Sequence, residues 1–248
     1  MTKDACTLLA GWLQARGVPV DSLQGGGSLD FALAKQGRRL GKAPLALTDQ
    51  ELAAADHLLA GWRPADWTLA DAGRAYLLLS GGADGAQMQA LCRTADGGAL
   101  ISLYRAAPLL PYDAALDWQL GEGLRSSIRE VFEAIAHHSP LPQRRFDEHR
   151  WNHMVLKALF ISSSLTPIVG LDARRNPALA DTLFDHIAER RAAGRAVDVQ
   201  VWRCVAPYLH GTRRDLLAPL QGSQAARLAQ QEYDIPGSVS AADWAHLI

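Results

Sequence analysis

Apolar positions along the chain recur at three- and four-residue spacing, and that period predicts helix after helix. From Ser126 to His138, Ile128, Val131, Phe132, Ile135 and Ala136 fall at i, i+3, i+4, i+7 and i+8, which makes one apolar face. Arg129 and Glu133 form an i,i+4 pair on the outer side. The next helix opens at Asp147 as N-cap, with Phe146 and Trp151 placed as a hydrophobic staple. Trp151, Met154, Val155, Ala158 and Leu159 give that helix one face, and Leu156, Phe160 and Ile161 extend it. A central, mostly buried helix is therefore expected here. His149, His153 and Lys157 form a narrow polar stripe on it, and Asn152 falls inside the apolar arc, where burial would oblige it to find partners.

Start and stop signals divide the rest. Thr48 and Glu51 have capping-box spacing, and Thr68 with Asp71 repeats it with the shorter acid. Asn176-Pro177 reads as an N-cap followed by proline at the first helical position, in a helix that ends at Gly194. Ser240 with Asp243 opens a last short helix, and the serines 162–164 before Pro167 stop another. Val197, Val199 and Val201 alternate with polar residues, but the run is short and reads as a loop entering a helix. Gly25-Gly26-Gly27 reads as a turn between the first two helices; no strand and no Gly-Lys-Ser/Thr accompanies it, so it is not a phosphate loop. The expectation is an all-α fold of about ten helices, in antiparallel hairpins packed as a small α-solenoid-like or irregular bundle, forming one domain over residues 1–248.

Composition adds limits. With 25 basic and 26 acidic residues the formal net charge is −1, which argues against a nucleic-acid binder. Hydrophobic residues at 48% exclude a disordered chain. Cys6, Cys92 and Cys204 are far apart and odd in number, as expected of free thiols in a reducing compartment. The N-terminal helix, residues 4–16, carries Asp4 and a polar rhythm that a signal peptide lacks, and no apolar run is long enough to span a membrane. A cytoplasmic protein without a cofactor is expected.

Several stretches resemble the EboA family of bacterial proteins: 38–56, 61–74, 91–112, 121–136, 146–161, 170–195 and 201–209. The Trp151-Asn152-x-Met154-Val155-Leu156-Lys157-Ala158 segment and the Gly170-Leu171-Asp172-x-Arg174-x-Asn176-Pro177 segment are the most specific. The resemblance covers about residues 30–209, leaving the first helix and the tail 210–248 less family-like. It implies a gene-cluster setting, beside a prenyltransferase-like membrane protein and TIM-barrel and cyclase-like enzymes, in making or exporting a secondary metabolite. It carries over no catalytic residue. Two departures stand out. His138-Ser139-Pro140-Leu141-Pro142 occupies a turn where an Asn-Pro-Tyr-Pro-like sequence is expected, and histidines stand at 149 and 153 where relatives commonly have other residues.

Three sets of residues are candidates for chemistry. Arg38, Arg93, Arg105 and Arg125, with Lys157, would suit a phosphate if they converged in a helical groove. The plainer alternative is that these, with Arg39, Lys42 and Arg74, pair with Glu51, Asp96, Glu122, Glu130 and Asp172 to pin hairpins together. Tyr104, Asn152 and Lys157 form a small polar set that would orient a head group in an apolar cavity, or else cap a loop and reach the surface. His137, His138, His149 and His153 lie within 17 positions, two of them at i,i+4, although Lys157 opposes a metal. Glu130 and Glu133 are expected to be solvated. Most of the seven tryptophans should be core anchors, with Trp62 and Trp67 open to a contact surface. The favoured reading is a helical adaptor or carrier that binds a small phosphorylated or amphipathic metabolite, or a partner from the same cluster. The alternative is an enzyme acting on a phosphorylated prenyl or cyclitol-like intermediate.

Overall fold

The computed structural model describes residues 1–24 and 27–247, so Gly25 and Gly26 of the expected glycine turn lie outside the described residues. The fold is all-α: helices pack on helices, and among the described residues no strand forms beyond a single bridge between Pro44 and Thr68. The chain divides into two compact units, Met1–Arg144 and Arg145–Ile248.

The first unit holds α1 (Thr2–Ala15), α2 (Leu29–Leu40), α3 (Asp49–Leu58), α4 (Leu69–Ser80), α5 (Gly85–Cys92), α6 (Gly97–Ala106), α7 (Ala114–Arg125) and α8 (Arg129–Ala136). Short polar side chains cap several of them. Thr48 and Thr68 both complete capping boxes, with Glu51 and Asp71, while Asp84, Asp96 and Asp113 cap α5, α6 and α7. The centre of the unit is α4, which packs against α1, α2 and α6 and is buried along almost its whole length. Its small residues, Ala70, Ala72, Gly73 and Ala75, let neighbours approach from several sides. Across the unit, α7 packs on α5 and α8, and α8 packs on α6. Gly123 makes that approach possible, since a Cβ there would come within 2.5 Å of both Ile135 and Tyr104. Trp12 stacks on Trp62 at 5.9 Å, and Trp62 meets Trp67 edge-on at 5.7 Å.

Three expectations are corrected here. Trp62 and Trp67 are buried, at 1% and 3% exposure, whereas Trp118 stands 52% exposed. The helix predicted from Ser126 starts only at Arg129, because Ile128 is its extended N-cap residue. Ile128 is therefore exposed and does not join the apolar face.

After α9 (Leu141–Arg145), the second unit holds α10 (Glu148–Phe160), α11 (Pro177–Ala192), α12 (Val201–Val205), α13 (Gln224–Asp234) and α14 (Ala241–Ala245). Asp147 caps α10 and Asn176 caps α11, with Pro177 at the first turn. The segment with alternating valines is indeed a loop that enters α12. Buried on α10 are Trp151, Met154, Val155, Ala158 and Leu159, one face only. Phe160, expected to extend that face, is 62% exposed and meets the ring of His186 edge-on, at 5.0 Å. The strongest all-round burial thus belongs to α4, whose small residues hid the signal from a count of large apolar ones.

The Gly170–Pro177 motif does structural work in this unit. Arg203 grips both oxygens of Asp172, at 2.9 and 2.7 Å. Arg175 donates to the carbonyls of Asp172 and Arg203 and to the Glu232 carboxylate at 2.6 Å. Glu232 is fully buried and also accepts the backbone N–H groups of Gly237 and Val239. Arg174 donates to the Phe146 carbonyl and lies over the Trp151 ring at 4.6 Å.

Candidate functional site

Within the first unit, α2, α4, α6 and α8 enclose a cavity of about 530 Å³, a size that fits a small molecule. Its far wall comes from the Trp62–Thr68 turn and from His137, His138 and Ser139. These segments are separated by up to a hundred residues in sequence, and only the packing around α4 gathers them.

The cavity has a fixed polar floor. The carboxylate of Asp71, 4% exposed, accepts the Thr68 N–H at 2.8 Å and the Thr68 hydroxyl at 2.7 Å. It also accepts the Ser102 hydroxyl at 2.6 Å and the Arg105 guanidinium at 2.6 Å. Arg105 holds Asp66 with its other nitrogen. One turn along α4 from Asp71, Arg74 donates to Ser102 Oγ at 3.0 Å and to the carbonyls of Leu33 and Gly98 at 3.0 and 3.2 Å. Its pKa is lowered by burial, against the pull of Asp96 and Asp71. Gly37 of α2 makes room for it, since a Cβ there would come to 2.5 Å from Arg74 Nη2.

The mouth differs in charge. Asp66, Asp96 and Glu130 are exposed on the lining, Glu133 is half-buried and paired with Arg129, and Lys42 is the exposed cation among them. The lining as a whole carries five carboxylates against three fixed cations, Lys42, Arg74 and Arg105. His138 holds a left-handed backbone, φ 54°, and burial lowers its pKa while Asp66 raises it.

The residues singled out from sequence distribute unevenly. Arg105 lines the cavity. Arg38 and Arg93 are exposed elsewhere on the unit, and Arg125 pairs at the surface with Glu122. Those arginines therefore do not converge with Arg105 on this cavity. Tyr104 is buried behind it, its hydroxyl accepting from Gln119 Nε2 at 2.7 Å, and burial raises its pKa. Asn152 and Lys157 belong to the second unit. There Asn152 exchanges reciprocal amide hydrogen bonds with Asn176, at 3.1 and 2.9 Å, and so ties α10 to the cap of α11. Lys157 is half-buried, with its pKa lowered by desolvation.

Of the four histidines, His137 and His138 line the cavity; His149 and His153 are on the exposed face of α10, rings 4.1 Å apart. Among the described residues, no group of three or more His, Cys, Asp or Glu is arranged to hold a metal ion. Glu51 and Asp172 do form ion pairs, but with Arg16 and Arg203, which the sequence reading had not singled out, and Glu122 pairs with Arg125 inside α7 rather than across a hairpin. Arg16 grips Glu51 with two nitrogens and holds its pKa down to about 2.

Sequence reasoning passed over Asp71, Ser102 and the turn at Trp62–Thr68 as site residues. A signal for Asp71 existed. A capping-box acid followed one turn later by Arg74, in a helix of small residues, is a buried pair waiting for a partner.

The fold and the cavity define a class: an all-α protein with a polar, ligand-sized cavity gathered around one central helix. More specifically, the chain belongs to the EboA family, whose model, described as metabolite traffic protein EboA, matches residues 5–206. That span takes in most of α1, which the sequence resemblance had left outside, and every segment of the cavity wall. No curated protein and no solved structure matches the chain. Among the described residues, no helix is long and apolar enough to cross a membrane.

Proposed function

We propose that the protein is a helical carrier whose first-unit cavity holds a small intermediate of a secondary-metabolite pathway and presents it to other proteins of the same gene cluster. The single observation behind this reading is the cavity itself. It has the volume of a ligand site, and its floor of Asp71, Arg74 and Arg105, backed by the buried Ser102, is held in place by hydrogen bonds that do not depend on a ligand. The family description, metabolite traffic, fits a protein that binds and releases. The partners proposed are the prenyltransferase-like membrane protein and the TIM-barrel and cyclase-like enzymes. The compartment proposed is the cytoplasm, in keeping with three free thiols.

The test is native mass spectrometry of tag-free protein after incubation with a small-molecule extract of the source cells. The comparison is with Ile101→Trp, which fills the cavity from a half-buried position on α6. The expected result is a low-mass adduct on the wild type that is lost in the variant. Equal spectra from two folded proteins would overturn the reading. A ligand present at 100 times its dissociation constant should also add about 2.7 kcal/mol of stability to the wild type.

A further inference from the structure

Resting on that reading of the cavity, we infer that its ligand is hydroxyl-rich and carries no phosphate. The charge of the lining is the first reason. Arg105 is already occupied by Asp71 and Asp66, and Arg74 is fixed by Ser102 and two carbonyls beside Asp71. Asp96 and Glu130 then line the cavity, with Lys42 the one exposed cation of its lining among the described residues. A phosphate, bearing about −1.5 to −2 charge at neutral pH, would enter against those carboxylates. At an effective dielectric near 20, one such carboxylate about 8 Å away weakens a phosphate by roughly tenfold or more after screening.

The second reason is the alternation of donors and acceptors. Carboxylates accept only, and Lys and Arg donate only. A hydroxyl does both, so a molecule with several hydroxyls can satisfy neighbouring walls of opposite kind. An ammonium ligand would serve the carboxylates and leave Lys42 facing another donor. Ile101, Pro108 and Ala134, together with Trp62 and Trp67, supply the apolar part of the wall.

Matched probes test this: glucose, sorbitol and myo-inositol, each against its monophosphate, by saturation-transfer NMR on the wild type and on Glu130→Lys. Glu130 is exposed, so this variant should fold normally. The expected result is that at least one neutral probe binds and that its phosphate binds at least tenfold more weakly. In Glu130→Lys, which replaces a negative charge by a positive one, the phosphorylated member should gain about a hundredfold. A phosphate that binds the wild type as tightly as its neutral partner would overturn the inference while leaving the carrier reading intact. Failure of every neutral probe would overturn it as well. The carrier reading is judged separately, by the extract adduct and its loss in Ile101→Trp.

Discussion

Each unit buries a network of arginines and carboxylates, and the two networks end differently. In the second, Arg203 closes on Asp172 and Arg175 closes on Glu232, whose remaining hydrogen bonds come from the backbone at Gly237 and Val239. All of those Glu232 partners are protein. In the first, Asp71, Arg74 and Arg105 are held just as firmly, but all three line a cavity of about 530 Å³. The same residue types thus serve as a clamp in one unit and as a floor in the other. A buried ion pair is weak evidence for either role, because desolvation offsets much of its attraction. The neighbouring empty space is what distinguishes them. The clamp also explains why a family motif can be specific without being a site: Arg175 lies inside the matched span, and its partner Glu232 lies beyond it.

The sharpest way to break the comparison is to open the clamp. Glu232→Ala leaves Arg175, 10% exposed, without its carboxylate. Removing one partner of a buried pair costs about 3–5 kcal/mol. Denaturant unfolding should show that loss, and hydrogen exchange should place it at α12 and α13. A loss below about 1 kcal/mol would mean that the network is not a clamp. Next in size is Asp71→Asn. The amide keeps the shape but weakens charge-assisted bonds from Thr68, Ser102 and Arg105, and Arg105 retains Asp66. About 2–3 kcal/mol should be lost, together with the extract adduct. A variant that kept the adduct at full occupancy would separate Asp71 from the site.

What the sequence revealed of these networks follows from the range over which each feature is built. Caps at Thr48, Thr68, Asp147, Asn176 and Ser240 were legible because a cap is decided within four residues. The all-α class was legible for the same reason, since helical period is local. The cavity was not, because its wall runs from Gly37 to Ser139 and is assembled by α4. Nearness to apolar or glycine positions selected Arg38, Arg93, Arg105 and Arg125 alike. Which of them turns inward depends on helix rotation, and only Arg105 does so here. Asn152 was rightly picked out as a polar group needing partners, and it found them in Asn176. Lys157 and the stripe of His149 and His153 lie on the same helix, but periodicity there gave no account of what covers each face.

A smaller effect sharpens the comparison by separating stability from binding. Gly37→Ala places a methyl 2.5 Å from Arg74 Nη2. Alanine within a helix is favoured over glycine by about 1 kcal/mol, which offsets part of the cost of moving the guanidinium. The melting temperature should therefore change by less than about 4 °C, while the adduct is lost. Loss of both would class Arg74 with the clamp residues of the second unit.

The smallest effect concerns pH. Burial lowers the pKa of His138 below its ordinary 6.5, with Arg63 and Arg105 acting in the same direction and Asp66 against them. On acidification the unfolded chain takes up this proton first, near 6.5, and the folded chain only at lower pH. The stability from a neutral His138 is therefore complete above about pH 6.5 and is lost as pH falls through the folded value. Its backbone at φ 54° suits asparagine, which tolerates the left-handed region and does not titrate. Between pH 7.5 and 5.5, His138→Asn should lose less melting temperature than the wild type, by up to about 3 °C. The arginine–carboxylate network of the second unit contains no histidine among the residues named, so Glu232→Ala should leave that difference unchanged. Equal slopes for wild type and His138→Asn would show that the cavity wall takes up no proton in this range, and that acid acts on the fold through other groups.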